Sequence, residues 1–174
     1  MSTLRLLENG ELGISATATS SMHDFDFFAG KWNIHNRKLK QRLNDCKEWL
    51  EFDATGETQI ILHGLGNTDN FITSFEGQPF EGRTFRLFNP LTRLWSIYWA
   101  DSNNGKLDTP VVGSFDRNIG QFYCKDIYND KPVLVMFRWD KTDPGQPVWS
   151  QAFSPDGGNT WEWNWYMYMT KRDL

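Results

Sequence analysis

From Lys31 to Lys171 apolar and polar residues alternate in short runs, and turn sequences break the alternation every 8–15 residues. Alternation with period two puts successive side chains on opposite faces of a strand. Strands are predicted over 31–41, 48–62, 67–76, 82–89, 93–101, 111–117, 120–128, 132–140, 147–154 and 160–171. The breaks carry turn chemistry, as in Asn89-Pro90-Leu91-Thr92, Asp101-Ser102-Asn103-Asn104-Gly105, Asn129-Asp130-Lys131-Pro132 and Pro155-Asp156-Gly157-Gly158. Connections this short leave no room for crossover helices, so the strands run as an antiparallel meander. Only 39–50 is open to a helical reading, and it reads equally as strand and connection. A meander leaves two unpaired edges unless it closes. Closure gives an all-β fold, an antiparallel closed β-barrel of about ten strands, with an interior that holds side chains or one small ligand.

The last strand shows the alternation best. Trp161, Trp163, Trp165, Met167 and Met169 share one face, expected to look inward, and Glu162, Asn164, Tyr166, Tyr168 and Thr170 share the other. Two tyrosines on an otherwise polar outer face suggest a homodimer contact. Upstream, Phe25-Asp26-Phe27-Phe28-Ala29-Gly30-Lys31-Trp32 marks the point where an irregular leader gives way to strands. Gly30 permits a backbone geometry that is costly for any residue with a Cβ. Trp32, with Phe25, Phe27 and Phe28, supplies enough apolar area to plug one barrel end. Residues 22–29 fit a short N-terminal helical turn, opened by Ser21 and acting as a lid. The division is a flexible leader over 1–21 and a single barrel domain over 22–174. Leu4, Leu6 and Leu7, the leader's apolar cluster, are alternatively a cover for part of the body or for a neighbouring subunit.

Composition sharpens this picture. Aromatic residues make up 16 % of the 174-residue chain, with nine Trp and thirteen Phe, so the interior is built from rings, which favour a pleated surface. A net charge of −4 without a basic stripe argues against nucleic acid as a partner. Arg37, Lys38, Lys40 and Arg42, interleaved with Leu39 and Leu43, read as a solvated strand end. Two cysteines, Cys46 and Cys124, exclude a disulfide scaffold and a Cys-rich zinc site. No secretory signal pattern opens the sequence and no apolar run is long enough to cross a bilayer. The expectation is therefore a cytoplasmic protein with no membrane partner.

Four stretches carry a family resemblance: Phe25 to Trp32, Trp95-Ser96-Ile97-Tyr98-Trp99-Ala100-Asp101-Ser102, Val111-Val112-Gly113-Ser114-Phe115, and Ser154 to Glu162. In these the chain resembles the calycin superfamily of lipocalin, fatty-acid-binding and nitrobindin-like barrels. More narrowly, it is similar to a lipocalin-like bacterial family, the DUF1579-type proteins. The resemblance implies a calycin-like barrel in which the Trp of Gly30-Lys31-Trp32 packs, across the closed end, against an Arg at the end of the last strand, here Arg172. Nitrobindin-like members hold haem through a His near the C-terminus. This chain has His23, His35 and His63 and none beyond, so neither haem nor any other cofactor is expected, and no metal.

The candidate chemistry is sparse. Ser154-Pro155-Asp156-Gly157-Gly158-Asn159-Thr160-Trp161 fits an Asp-box hairpin, whose Asp and Ser side chains hold turn amides. No phosphate-binding Gly-rich loop is present. Polar residues between bulky aromatics are the pocket candidates: Arg83 or Arg86, Tyr98, Arg138 and Gln151, with Trp99, Trp139, Trp163 and Trp165 as core or as ligand platforms. An interior Arg must meet an anion, so either a ligand supplies it or an internal pair such as Arg86 with Asp101 does. Asp101 and Asp108 stand at the two ends of one loop, where they either cap it or raise one another's pKa and serve as acid and base. His35, on the first strand, is a further acid/base candidate.

The expected function is binding of a small, mostly apolar molecule, hydrophobic or aromatic, with an anionic or hydrogen-bonding group. The alternatives are a cofactor-free isomerase, cyclase or hydratase that uses His35 or the Asp101/Asp108 pair, and a non-catalytic dimeric interaction protein with a filled core.

Overall fold

The computed structural model describes residues 3–172; the first two residues of the leader and the last two of the barrel segment lie outside the described residues. Twelve strands follow one another: β1 (Thr3–Leu6), β2 (Leu12–Ser15), β3 (Gly30–Leu39), β4 (Trp49–Ile61), β5 (Gly66–Phe75), β6 (Gln78–Asn89), β7 (Leu94–Asp101), β8 (Val111–Asp116), β9 (Ile119–Tyr128), β10 (Lys131–Asp140), β11 (Val148–Ser154) and β12 (Glu162–Lys171). Strands β3 to β12 pair antiparallel with their neighbours, and β12 pairs back onto β3, so the sheet closes into a ten-stranded barrel without an edge. The stretch 39–50 forms no helix: β3 ends at Leu39, and a turn-rich connection leads to β4 at Trp49.

One end of the barrel is closed by the aromatic stretch. Asp26–Phe28 forms a single turn of 3-10 helix, the short helical turn before the first barrel strand. Phe25 is the hub of this plug. Its ring meets Trp95 and Phe115 edge-on at 5.0 Å and Trp139 at 5.6 Å. Phe28 stacks on Trp32 at 5.2 Å, and the Trp32 indole donates to the Phe28 carbonyl at 2.8 Å. The backbone enters β3 through Gly30 at φ 111°, a region L side chains rarely adopt. Arg93 ties the plug's approach to the β6–β7 turn, donating to the carbonyls of Ser20 and Ala18.

The cation on Trp32 differs from the expected one. Lys171, the cross-strand neighbour of Trp32, places its Nζ 5.6 Å from the indole centre, while Arg172 contributes its backbone amide to the Lys31 carbonyl and is itself exposed. An aliphatic stem along the strand reaches the ring from the paired position, one residue closer than Arg172.

Two further differences come from β12. The β11–β12 register shifts between Gln151 and Ala152, so Gln151 pairs with Trp165 but Ala152 with Trp163. The extra residue, Asn164, turns inward, is fully buried and accepts a hydrogen bond from Gln151 at 2.8 Å. The bulge reverses the alternation, so Trp161 and Trp163 lie outside the barrel while Trp165, Met167 and Met169 stay inside. Over the leader the structure takes the covering arrangement. β1 and β2 pair as a hairpin, and Leu4, Leu12 and Ile14 pack with Trp161 and Trp163 over Tyr123, Met136 and Ala152. The outer tyrosines have intrachain partners: Tyr166 stacks on Trp163 at 6.4 Å and on Tyr168 at 6.2 Å.

The Asp-box hairpin is built as its residues imply. Asp156 accepts from the Thr160 hydroxyl and amide, the Ser154 hydroxyl lies 2.8 Å from its carboxylate, and these bonds hold the Asp156 carboxyl down at about 2.

Trp32→Ala should cost about 3–5 kcal/mol of stability, as truncating a packed Trp does. Denaturant unfolding monitored by circular dichroism measures this, and a change within about 0.5 kcal/mol would remove Trp32 from the role of end plug.

Candidate functional site

Strand alternation decides what faces the barrel interior. On β3 the inward set runs through Trp32, Ile34, Asn36 and Lys38; on β6 through Phe80, Thr84 and Arg86; on β7 through Trp95, Ile97, Trp99 and Asp101. Above the plug these side chains leave a cavity of ≈380 Å³. At about 30 Å³ per water, that is room for about a dozen waters or a ligand of similar bulk. Gly82 makes room for Trp99 on its wall. A Cβ there would sit 1.9 Å from the Trp99 ring, so only a glycine lets that indole take its place against β6.

The cavity floor is polar and sits on the plug. Arg86, which is 5 % exposed, donates to Asp69 at 2.5 Å and to Asn67 at 2.9 Å. Its guanidinium carbon lies 5.1–5.3 Å from the ring centres of Phe25, Phe28 and Trp139. The ion pair expected with Asp101 is therefore made with Asp69, because Asp69 stands on the adjacent strand, near the same end, whereas Asp101 is at the far end of β7. Three residues that line the floor each bury a polar side-chain atom that has no protein partner among the described residues: Arg86 Nε, Trp139 Nε1 and Thr58 Oγ1. Unsatisfied buried polar atoms cost free energy, and all three belong to residues that line the same cavity.

The opposite end is the mouth. Trp99 donates from Nε1 to Asp101 at 3.0 Å, and the other Asp101 oxygen accepts the amides of Asn103 and Asn104, so Asp101 caps the loop that follows β7. Asp108, at the end of the same loop, also lines the cavity, with Asp126 of β9. Burial raises the Asp108 carboxyl above its ordinary value, reinforced by Asp101 and Asp126. Across from them, Lys38 holds its Nζ 4.3 Å from the Trp165 ring centre and Arg42 lies 5.2 Å from that of Phe153. Burial, then Arg42, bring the Lys38 ammonium down to about 8, with Asp101 opposing, and burial likewise lowers Arg42.

The structure thus brings together Arg86, Trp99, Asp101, Asp108, Trp139, Gln151 and Trp165 around one cavity. It places the other candidates elsewhere. Arg83 is on the outer face, paired with Glu81, and Arg138 is outside with Asp140. Tyr98 alternates with Trp99 and faces outward opposite Phe85. Trp163 is outside through the bulge. His35 also lies outside, 2.8 Å from Asp53, in a surface groove shared with Tyr168. In each case an even or odd position relative to a buried neighbour sets the face. Lys38, Arg42 and Thr58 escaped the sequence reading. Their signal was available for Lys38, which is in phase with Trp32. Cys124 lines the cavity too, its thiol pushed up to about 12 by burial, so it is unreactive there. Among the described residues no three His, Cys, Asp or Glu side chains gather as a metal site.

The lowered Lys38 sets a testable pH dependence. Below about 8 the ammonium is charged folded and unfolded, and the fold bears the cost of half-burying it; above its ordinary 10.5 it is neutral in both states. Lys38→Met should therefore stabilise the protein by about 1–2 kcal/mol at pH 7, after allowance for solvent at the mouth. The gain should shrink as pH rises through the interval from about 8 to 10.5. Thermal unfolding from pH 7 to 10.5 measures it, and a gain that grows with pH would contradict the burial of Lys38.

A closed, ten-stranded antiparallel barrel is consistent with a calycin-like fold. Compared with known proteins, the chain matches no family model and no curated sequence.

Proposed function

We propose that this barrel binds a small, mostly apolar molecule carrying a hydrogen-bonding or anionic group. The observation that carries the reading is the cavity floor, where Arg86, Trp139 and Thr58 line an aromatic chamber and each keeps a buried polar side-chain atom, Nε, Nε1 and Oγ1 respectively, without a partner among the described residues. Arg86 and Asp69 form a charge-neutral pair, so the floor favours a neutral acceptor such as a carbonyl or hydroxyl over a second anion. The ring-rich wall supplies the apolar contact, and the polar atoms fix orientation. Two unpaired thiols, Cys46 and Cys124, suit a reducing compartment such as the cytoplasm. The proton-moving alternative is left with the Asp101/Asp108 pair, since His35 and Tyr98 are outside the barrel.

Phenylhexanol, an apolar ring and chain ending in a neutral acceptor, is a suitable probe, titrated by tryptophan fluorescence. Thr58→Val, which keeps the shape and removes the hydroxyl, should leave stability equal or higher but weaken phenylhexanol by about 1 kcal/mol. Unchanged affinity in Thr58→Val and in Trp139→Phe would take the floor out of recognition.

A further inference from the structure

Most buried or half-buried cations of this protein meet a carboxylate: Arg86 meets Asp69, Lys141 meets Asp24 and Arg138 meets Asp140. Lys38 and Arg42 depart from that rule. Among the described residues they make no salt bridge, and each instead rests on aromatic faces, Lys38 over Trp165 and Arg42 over Phe153 and Trp165. Both line the cavity, at its mouth. Two half-buried like charges on one wall repel each other, and neither has an anion of this chain within ion-pair distance among the described residues.

We propose that Lys38 and Arg42 form an anion subsite, so that the ligand is an amphipathic carboxylate. Its carboxylate lies at the mouth, its apolar body sits between the Trp165/Phe153 and Trp99 walls, and its inner end lies over the neutral floor. This rests on the ligand-binding reading above and adds the charge and direction of the ligand. A guanidinium presents paired donors to a carboxylate, and an ammonium beside it adds a third direction. The surrounding acids narrow the class. Asp101 faces the site from β7, Asp108 from the following loop and Asp126 from β9, with Tyr128 and Glu162 near Arg42 and Lys106 near Asp108. Asp101 is engaged by Trp99 and loop amides, and Glu162 by the Leu43 amide at 2.8 Å, so neither neutralises the cations by direct contact. Three carboxyl groups across the mouth penalise a dianion more than a monoanion, which favours carboxylate over phosphate.

The test uses three probes with one body, phenylhexanoate, phenylhexanol and phenylhexylamine, titrated against the full chain by tryptophan fluorescence and calorimetry. Phenylhexanoate should bind at least about tenfold tighter than the alcohol at pH 7, and the amine weakest. The advantage should vanish in Lys38→Met/Arg42→Met, while the alcohol keeps its affinity. It should also fall as pH rises through about 8, where Lys38 gives up its proton, with proton uptake on binding near that pH. Equal binding of acid and alcohol would overturn the anion subsite and leave the ligand-binding reading intact. Failure of all three probes to bind would overturn both. Should the double variant unfold, Lys38→Gln and Arg42→Gln separately must each erode the acid's advantage, and an undiminished advantage in both would equally reject the subsite.

Discussion

A guanidinium at the bottom of an aromatic barrel is the constraint on which the rest of this structure depends. Taking a cation out of water costs several kcal/mol unless its partners are in place. Arg86 has them from two directions. Asp69 and Asn67 on the neighbouring strand accept its N–H groups, while the ring centres of Phe25, Phe28 and Trp139 lie 5.1–5.3 Å from its central carbon. Two of those rings belong to the plug, which therefore does more than fill space. Withdrawing it would remove the ring faces that shelter a buried charge, so the closed end and the charged floor stand or fall together. The strands on either side must also hold their register, since a slip of one residue would send Arg86 or Asp69 to the outer face.

That dependence explains why the two barrel ends differ. At the closed end the charge is paired and its rings are locked by edge-to-face contacts, so ordering there is maximal. At the mouth the charges are left apart, cations on the β3 side and acids on the β7 to β9 side. Neither wall reaches the other, and the aromatic chamber between them keeps the local dielectric low. An interior filled with aliphatic side chains would leave neither the donors on the floor nor the separated charges at the mouth. The arrangement is an aromatic chamber with polar groups at each end.

Much of this was legible in the sequence because alternation and turn chemistry agree from Lys31 onward. The predicted strand 93–101 is observed as Leu94–Asp101, and 132–140 as Lys131–Asp140. The errors on β12 share one cause, the loss of phase. Trp161 and Trp163 look continuous with Trp165 in the sequence, but one extra residue at Asn164 inverts the faces, and nothing in Glu162-Trp163-Asn164-Trp165 announces a bulge. The leader hairpin was hard to foresee for a related reason. Its apolar strip, Leu4, Leu12 and Ile14, exists to cover outer-face tryptophans that the unbroken alternation would have placed inside.

The site was less legible than the fold, because residue type was weighed above phase. Tyr98, Arg83 and His35 have the chemistry of pocket residues but the wrong parity relative to Trp99, Thr84 and Trp32. Lys38 is the converse case: grouped with Arg37, Lys40 and Arg42 it looks like a solvated strand end, yet counting by twos from Trp32 through Ile34 and Asn36 arrives at Lys38 inside the barrel. One securely buried residue per strand therefore carries more information about a barrel's interior than the local charge does. Arg42 lies beyond the strand, where parity no longer applies. Its place over Phe153 is set by the connection to β4, which Glu162 holds through the Leu43 amide. The connection that read equally as helix or strand in the sequence thus completes the cationic wall, and it does so through a carboxylate on the strand that the bulge re-phased.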